Sequence, residues 1–208
     1  LTADVGTANG TAQAIANRSA GRPTAVLLGL WPGDEPRLDF VSYFRYVRPP
    51  TGVVVRVPPH HREVVERVYA QFEVAVTVAA DERPDPVGSL TVTPHPEYRH
   101  VFLRAERIGA DTADQLAAAA AAVRDDPGLE AAYLHLPLSS PGAIHLCEAA
   151  ERLGFSFAGV GPAYLSAGDA LLLQWLKHPP GPLAGRIRHP FARELAAHVF
   201  RERERVSS

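Results

Sequence analysis

The chain has 208 residues, of which 46% are hydrophobic, and this is enough for one sizeable core or for one domain with a fragment of another. A formal net charge of −2 argues against a nucleic-acid partner, and no apolar run approaches membrane-spanning length, which argues against a membrane protein. The single cysteine cannot form an internal disulfide, which favours a reducing, cytoplasmic location.

The N-terminal stretch is predicted to be a loop, a helix and a strand. Thr2 to Gly10 is small and polar, which indicates a loop or a frayed end. Thr11 to Ala20 favours a short helix that ends at Gly21. Thr24 to Leu30 is an apolar strand, and a turn follows at Trp31-Pro32-Gly33-Asp34.

The middle of the chain alternates between strand and helix patterns. Alternating or β-branched runs predict strands over Arg37 to Arg48, Val53 to Val57 and Val74 to Val78, and a hairpin from Gly88 to Pro94 and His100 to Ile108. Apolar stripes at helical spacing predict helices over His60 to Phe72 and from Asp111 or Thr112 to Val123.

The stretch from Leu129 to Trp175 carries the clearest pattern. A buried strand is predicted over Ala131 to Leu138, followed by a helix over Ala143 to Leu153 that Ser139, Ser140 and Pro141 begin and Gly154 ends. Strands over Phe155 to Val160 and Ala170 to Leu176 follow, with turns at Gly161-Pro162 and Gly168-Asp169. A linker over Pro179 to Gly185 then precedes a terminal helix with Phe191, Leu195 and Val199 on one side.

The order of elements predicts an α/β or α+β fold around one mixed sheet. Three motifs, Leu136-Pro137-Leu138, Leu153 to Gly159 and Gly168-Asp169, resemble the second half of the GNAT (acetyltransferase) superfamily. More narrowly, they resemble the GNAT-like modules that are fused to anti-sigma-factor-type ATPases in bacteria. The resemblance covers about Ser42 to His198, and it implies a GNAT-like mixed central sheet flanked by helices.

The helix ending at Gly21 and the strand after it echo the helix ending at Gly154 and its following strand. We therefore expect residues 1–36 to be the closing helix-strand piece of a preceding GNAT-like unit. Residues 37–178 would form the GNAT-like domain, and residues 179–208 the linker and the C-terminal helix. The chain begins at Leu1 and lacks methionine, so we expect it to be a piece of a longer protein.

The resemblance implies acetyl-CoA as cofactor, held by a loop of pattern Gln/Arg-x-x-Gly-x-Gly/Ala whose amides meet the pyrophosphate. The corresponding cofactor-binding residues are Arg107, Ile108, Gly109 and Ala110. Their spacing departs from the family pattern, and Asp111 puts a carboxylate where the anion would lie, with capping of its own helix as its expected role. Coenzyme A binding is therefore expected to be degraded or absent.

The catalytic groups of the family are also incomplete. The tyrosine that serves many members as general acid, four residues before the helix-closing glycine, corresponds to Ala150. Glu106 and His135 are the candidates for a catalytic base. The alternatives are a solvated charge at a strand end for Glu106, and a core histidine with both nitrogens hydrogen-bonded for His135.

No metal site is predicted. His60 and His61 lie at a helix start but lack cysteine or carboxylate companions at ligand spacing, and His145 and Cys147 point in different directions on a helix. Cys147 is expected to be a packing residue.

Three functions stay open from the sequence. The first is a non-catalytic GNAT-like regulatory module that binds a small molecule or another domain of a larger protein. The second is an active acyl-CoA-dependent N-acetyltransferase with an unusual site. The third is a structural piece whose strand over Arg37 to Arg48 pairs with another chain, which would allow a homodimer.

Overall fold

The computed structural model describes residues 1–31, 38–178 and 187–208, and these form ten strands, five α-helices and one 3₁₀ turn. The strands are β1 (Thr2–Gly6), β2 (Arg22–Trp31), β3 (Leu38–Phe44), β4 (Gly52–Val55), β5 (Ala75–Val78), β6 (Ser89–His95), β7 (His100–Arg107), β8 (Ala131–Pro137), β9 (Ser156–Leu165) and β10 (Gly168–Leu176). The helices are α1 (Gly10–Arg18), α2 (Pro59–Ala70), α3 (Thr112–Asp125), α4 (Ala143–Arg152) and α5 (Pro190–Ser207). The turn predicted after Trp31 and the linker predicted over Pro179 to Gly185 lie outside the described residues.

Eight strands form one mixed sheet in the order β1-β3-β2-β9-β10-β8-β7-β6, and β4 pairs with β5 in a separate parallel sheet. Within the large sheet β7 and β8 run parallel, while the other ladders between described strands are antiparallel. A parallel pair needs a crossover, and α3 provides it between β7 and β8. The predicted mixed α/β class is confirmed.

The large sheet bends at β2, which pairs with β9 only at Ala25 and Gly159. Beyond that point, side chains of three successive central strands bond to its backbone. Gln174 of β10 accepts a hydrogen bond from the Leu28 amide at 2.9 Å, the Tyr133 hydroxyl of β8 donates to the Leu28 carbonyl at 2.7 Å, and the His100 ring of β7 lies 2.9 Å from the Leu30 carbonyl. Strand β2 therefore crosses the face of β10, β8 and β7.

This crossing produces two cores. One lies between the large sheet and helices α2 to α5, and its fully buried members include Val65, Leu116, Leu146 and Leu195. The other lies between β2, β3 and the central strands, and its buried members include Leu27, Phe40, Tyr133, Ala158 and Leu172. Among the described residues the buried part of this second core comes from strands alone.

Two local predictions are wrong. Thr2 to Gly10 is not a loop, because residues 2–6 form edge strand β1, whose backbone pairs with β3 although only Val5 is buried there. Such a one-sided edge strand leaves a weak apolar signal. Gly161 and Pro162 do not form a turn but lie inside β9. The ladder between β2 and β9 is limited to the bridge at Gly159, so the missing N–H of Pro162 costs no ladder bond to β2.

Most other element predictions are confirmed within a few residues. Gly154 ends α4 with a φ of +81°, a conformation that glycine adopts without strain. The strand predicted over Arg37 to Arg48 is shorter, since β3 ends at Phe44. Residues 1–31 contribute β1 and β2 to the same sheet as the later strands, and the division at residue 36 stays a prediction. Among the described helices none is long and apolar enough to cross a membrane.

Candidate functional site

The predicted site residues lie at the end of the parallel pair β7 and β8. The ladder runs from His100 and Ala131 to Arg104 and His135, and then ends. Both strands nevertheless continue, β7 to Arg107 and β8 to Pro137. The two strands are thus no longer paired with each other over their last residues, although β7 still pairs with β6 and β8 with β10. Glu106 lies exposed on this part of β7.

The four residues predicted to hold coenzyme A follow directly, and their polar groups are already bonded within the chain. The Gly109 amide donates to the hydroxyl oxygen of Thr112 at 2.7 Å, and the Ala110 amide donates to the Asp85 carbonyl at 2.8 Å. The Arg107 guanidinium donates to the Val87 carbonyl at 3.1 Å, and Ile108 is buried. The two amides that a pyrophosphate would need therefore point at protein oxygens.

Residues 81–88, which we refer to as the covering segment, close the gap between the strand ends. Asp85 forms a parallel bridge with Gly109. A Cβ built on Gly109 would lie 2.0 Å from the Gly88 nitrogen, so the two backbones are in direct contact. Pro84 of the same segment packs against the residue before α4, because a Cβ on Gly142 would lie 3.0 Å both from Pro84 and from Ile108.

The carboxylate of Asp111 bonds to the covering segment, contrary to the prediction that it caps its own helix. It accepts the Gly88 amide at 2.7 Å and the Gln115 side chain at 3.0 Å, and it makes no capping bond to α3. The backbone bond from Gly88 holds the pKa of Asp111 below its usual value, with a smaller contribution from the Gln115 side chain. The negative charge expected from the sequence is present at this loop.

A carboxylate of the covering segment itself, that of Asp81, caps α4. Asp81 accepts the Gly142 amide at 2.8 Å and the His145 amide at 3.0 Å. The predicted cap by Ser139 or Ser140 is wrong, because the residue before the helix is Gly142 and it provides no side-chain cap. The covering segment therefore satisfies backbone donors at the start of α4 that an anionic ligand would otherwise use.

His135 is buried on β8, on the face that β2 crosses. Its ring centroid lies 5.3 Å from that of Phe102 and 5.1 Å from that of Tyr164. Burial, reinforced by the Arg104 charge, lowers the pKa of His135 to about 3. The expectation that a core histidine has both nitrogens hydrogen-bonded is not met, because Nδ1 has no partner among the described residues.

Tyr164 stands beside His135 at the end of β9. Burial, with the nearby Asp4 charge, raises the pKa of its phenol to about 12, against the opposing effect of Arg104. At neutral pH the pair therefore consists of a protonated phenol and an unprotonated imidazole. The phenol therefore has a proton to donate, whereas the imidazole is a weak base.

A separate polar cluster, which the sequence did not indicate, lies where the start of α2 meets the ends of α4 and α5. Its members are His60 and His61 of α2, Glu151 of α4, and Glu202 and Arg205 of α5. One ligand atom from each histidine and each glutamate lies within 4.8 Å of the others. The carboxylate companions that the two histidines lack in the local sequence thus arrive from distant helices.

The cluster is electrostatically coupled. Burial alone would raise the pKa of Glu151, but hydrogen bonds from His61, His60 and Arg205 hold it at about 2. Burial lowers the pKa of His61, against the opposing hydrogen bond to Glu151. The only signal for this cluster in the sequence is the pair of histidines at the start of α2, because the sequence does not show which glutamates would lie beside them.

Comparison with models of known protein families, with curated proteins and with solved structures yields no match to the chain.

Proposed function

We propose that this chain is a GNAT-like acyltransferase-fold domain that has lost its acyl-CoA site and serves as a ligand-binding or partner-binding regulatory module. The observation that carries the proposal is the engagement of the Gly109 and Ala110 amides by Thr112 and Asp85. A pyrophosphate would have to break both bonds before it gained any of its own, and coenzyme A therefore does not fit the residues present.

Electrostatics point the same way. A docked diphosphate would face the Asp111 carboxylate, whose charge the Gly88 amide stabilises. Like charges in contact raise the cost of binding, whereas the family loop offers donors alone. The covering segment would also have to leave the start of α4, where Asp81 holds two amides.

The catalytic positions support the proposal as well. The residue in place of the family's tyrosine acid is Ala150, which is fully buried on α4 and has no proton to give. Glu106 is exposed at a strand end, and His135 has a pKa of about 3, which makes it a weak base at neutral pH. A binding function needs none of these groups.

The test is an isothermal titration of the chain with acetyl-CoA, together with thermal unfolding at rising ligand concentration. A ligand that binds only the folded state raises Tm. Because the proposal is that acetyl-CoA does not bind, we expect no heat of binding and no shift in Tm up to about 1 mM acetyl-CoA. Saturable binding with a Kd well below about 1 mM would overturn the proposal. Coenzyme A and ATP are titrated beside it, because binding of any nucleotide that contains a diphosphate group tests the same amides.

The alternative function is an active acyl-CoA-dependent N-acetyltransferase, and one observation favours it. Tyr164 carries a protonated phenol 5.1 Å, centroid to centroid, from the His135 ring, so it is a proton donor in place of the tyrosine missing at Ala150. This function requires that acetyl-CoA bind and that Tyr164→Phe lower turnover without weakening that binding. The direct measurement is the rate of hydrolysis or transfer of the acetyl group, monitored through the coenzyme A thiol that the reaction releases.

A further inference from the structure

Three helices bring four metal-ligating side chains together on the side of the molecule where α5 packs. The cluster holds two imidazoles at the start of α2 and two carboxylates, one near the end of α4 and one near the end of α5. Imidazole nitrogen and carboxylate oxygen are typical ligands of Zn²⁺ and related divalent transition metals.

The contacts converge on one oxygen. Glu151 Oε1 lies 2.9 Å from His60 Nε2, 2.8 Å from His61 Nε2 and 2.6 Å from the Arg205 guanidinium. A carboxylate oxygen has two lone pairs, so three close nitrogens are one more than it can accept from. His60 Nε2 also lies 3.2 Å from the Arg205 guanidinium, so whether it donates or accepts depends on its tautomer. Arg205 also bonds to Glu202 at 2.8 Å, which places its positive charge between the two carboxylates.

His61 supplies the second observation. Its side chain is fully buried, and its Nδ1 faces Glu202 Oε2 at 3.7 Å, too far for a hydrogen bond. That nitrogen has no hydrogen-bond partner among the described residues. An orphaned buried ring nitrogen is costly to leave unpaired. Here it faces a carboxylate oxygen at a separation that two metal–ligand bonds of about 2.0–2.2 Å to a shared ion can span.

The opposite side of the cluster is open. The His60 side chain is 35% exposed and that of Arg205 is 41% exposed, whereas Glu151 and Glu202 are 9% and 10% exposed. An ion can therefore enter past His60, and the guanidinium can swing into solvent. Such a site combines buried ligands with an entry path.

We propose that His60, His61, Glu151 and Glu202 bind one divalent transition-metal ion of the Zn²⁺ class, and that Arg205 holds the two carboxylates in place when the ion is absent. The ion takes over the charge balance that the guanidinium provides. Because its ligands come from α2, α4 and α5, it fastens the C-terminal helix to the rest of the domain. With four protein ligands the site is structural rather than catalytic.

The experiment uses untagged protein stripped with a chelator and titrated with ZnCl₂ by calorimetry and by competition with a chromophoric chelator. We expect one ion per chain with a Kd of about 10 μM or tighter, and a rise in Tm that a chelator reverses. Substitution with Co²⁺ should give the visible absorption of a low-symmetry site with nitrogen and oxygen ligands.

Two substitutions separate a metal site from an ion-pair cluster. His60→Ala, at the most exposed histidine, should weaken Zn²⁺ binding by more than about 100-fold, because outer partners of ligands alone are worth about 10–100-fold. Arg205→Ala should tighten binding, because it removes the competing cation. His145→Ala, at an exposed histidine on α4, is the matched control and should leave the affinity unchanged.

Glu202→Gln is the second ligand variant, so that a folding defect in one protein does not decide the outcome. It should weaken binding while near-native circular dichroism is kept. The proposal is overturned if neither the wild type nor Arg205→Ala binds Zn²⁺. It is equally overturned if His60→Ala and Glu202→Gln bind it as the wild type does, since the ion then lies elsewhere. Neither result bears on acetyl-CoA.

Discussion

The buried histidine of β8 should make the protein sensitive to mild acid. The side chain of His135 is about as buried as an apolar core residue, and burial lowers its pKa to about 3, with Arg104 adding to the effect. In the unfolded chain its pKa is about 6.5. Above pH 6.5 neither state holds the proton, so the stability is complete. As the pH falls toward 3 only the unfolded state takes up the proton, and stability is lost.

The size of the effect follows from linkage. Each pH unit between the two pKa values costs about 1.4 kcal/mol of unfolding free energy, so a fall from pH 6.5 to 4.5 should cost roughly 2–3 kcal/mol through this residue. His135→Phe removes the titrating group and fills the space between Phe102 and Tyr164 with another ring. Repacking changes its absolute stability, but the quantity of interest is the slope with pH.

The assay is urea unfolding followed by circular dichroism from pH 4.5 to 7. Between pH 7 and 4.5 the wild type should lose about 2–3 kcal/mol of unfolding free energy relative to His135→Phe. Burial also lowers the pKa of three other histidines, but they are present in both proteins and cancel in the difference. Parallel curves for the two proteins would refute the reasoning. His145→Phe, at an exposed position, controls for the loss of one histidine.

Three further outcomes can be measured with simple assays. Gly159→Ala should destabilise the fold by several times the cost of Gly168→Ala, in urea unfolding, because both glycines have positive φ but a Cβ at Gly159 would lie 2.4 Å from the β2 backbone whereas one at Gly168 meets nothing within 4 Å; equal costs would contradict the close approach. Tyr69→Phe should cost about 1–3 kcal/mol, since the buried hydroxyl donates to the Asp169 carboxylate, and an unchanged unfolding midpoint would contradict that bond. Cys147 is fully buried and burial raises the pKa of its thiol, so a thiol reagent should label it only after unfolding; rapid labelling of the native protein would contradict its packing role.

Regular apolar patterns within short stretches of sequence allowed most helices and strands to be predicted. The apolar run of β8 and the stripe of α4 with Gly154 behind it are local signals, and the structure has both. Edge strand β1 was missed because its pairing with β3 depends on residues about forty positions away and leaves one face exposed. The turn predicted at Gly161-Pro162 was wrong for a related reason, since a proline breaks a strand only where a neighbouring strand needs its N–H.

The candidate sites were harder to predict because their decisive contacts are distant in sequence. The loop after β7 could be identified, and so could the unfavourable charge of Asp111, but the true partner of that carboxylate, Gly88, lies 23 residues earlier. His61 and Glu151 are 90 residues apart and meet only because α2 and α4 pack together. Local spacing contains no information about such contacts.

The crossing of β2 over the central strands joins the first thirty residues to the rest of the molecule in an unusual way. Among the described strands, one backbone bridge pairs β2 with β9, and Gln174, Tyr133 and His100 add side-chain hydrogen bonds to main-chain atoms of β2. Main-chain donors and acceptors do not depend on the side chain of their residue, so a substitution in β2 that leaves the strand in place also keeps these bonds. The three side chains on the central strands have no such freedom, so these particular hydrogen bonds between the two layers are encoded on the central strands alone.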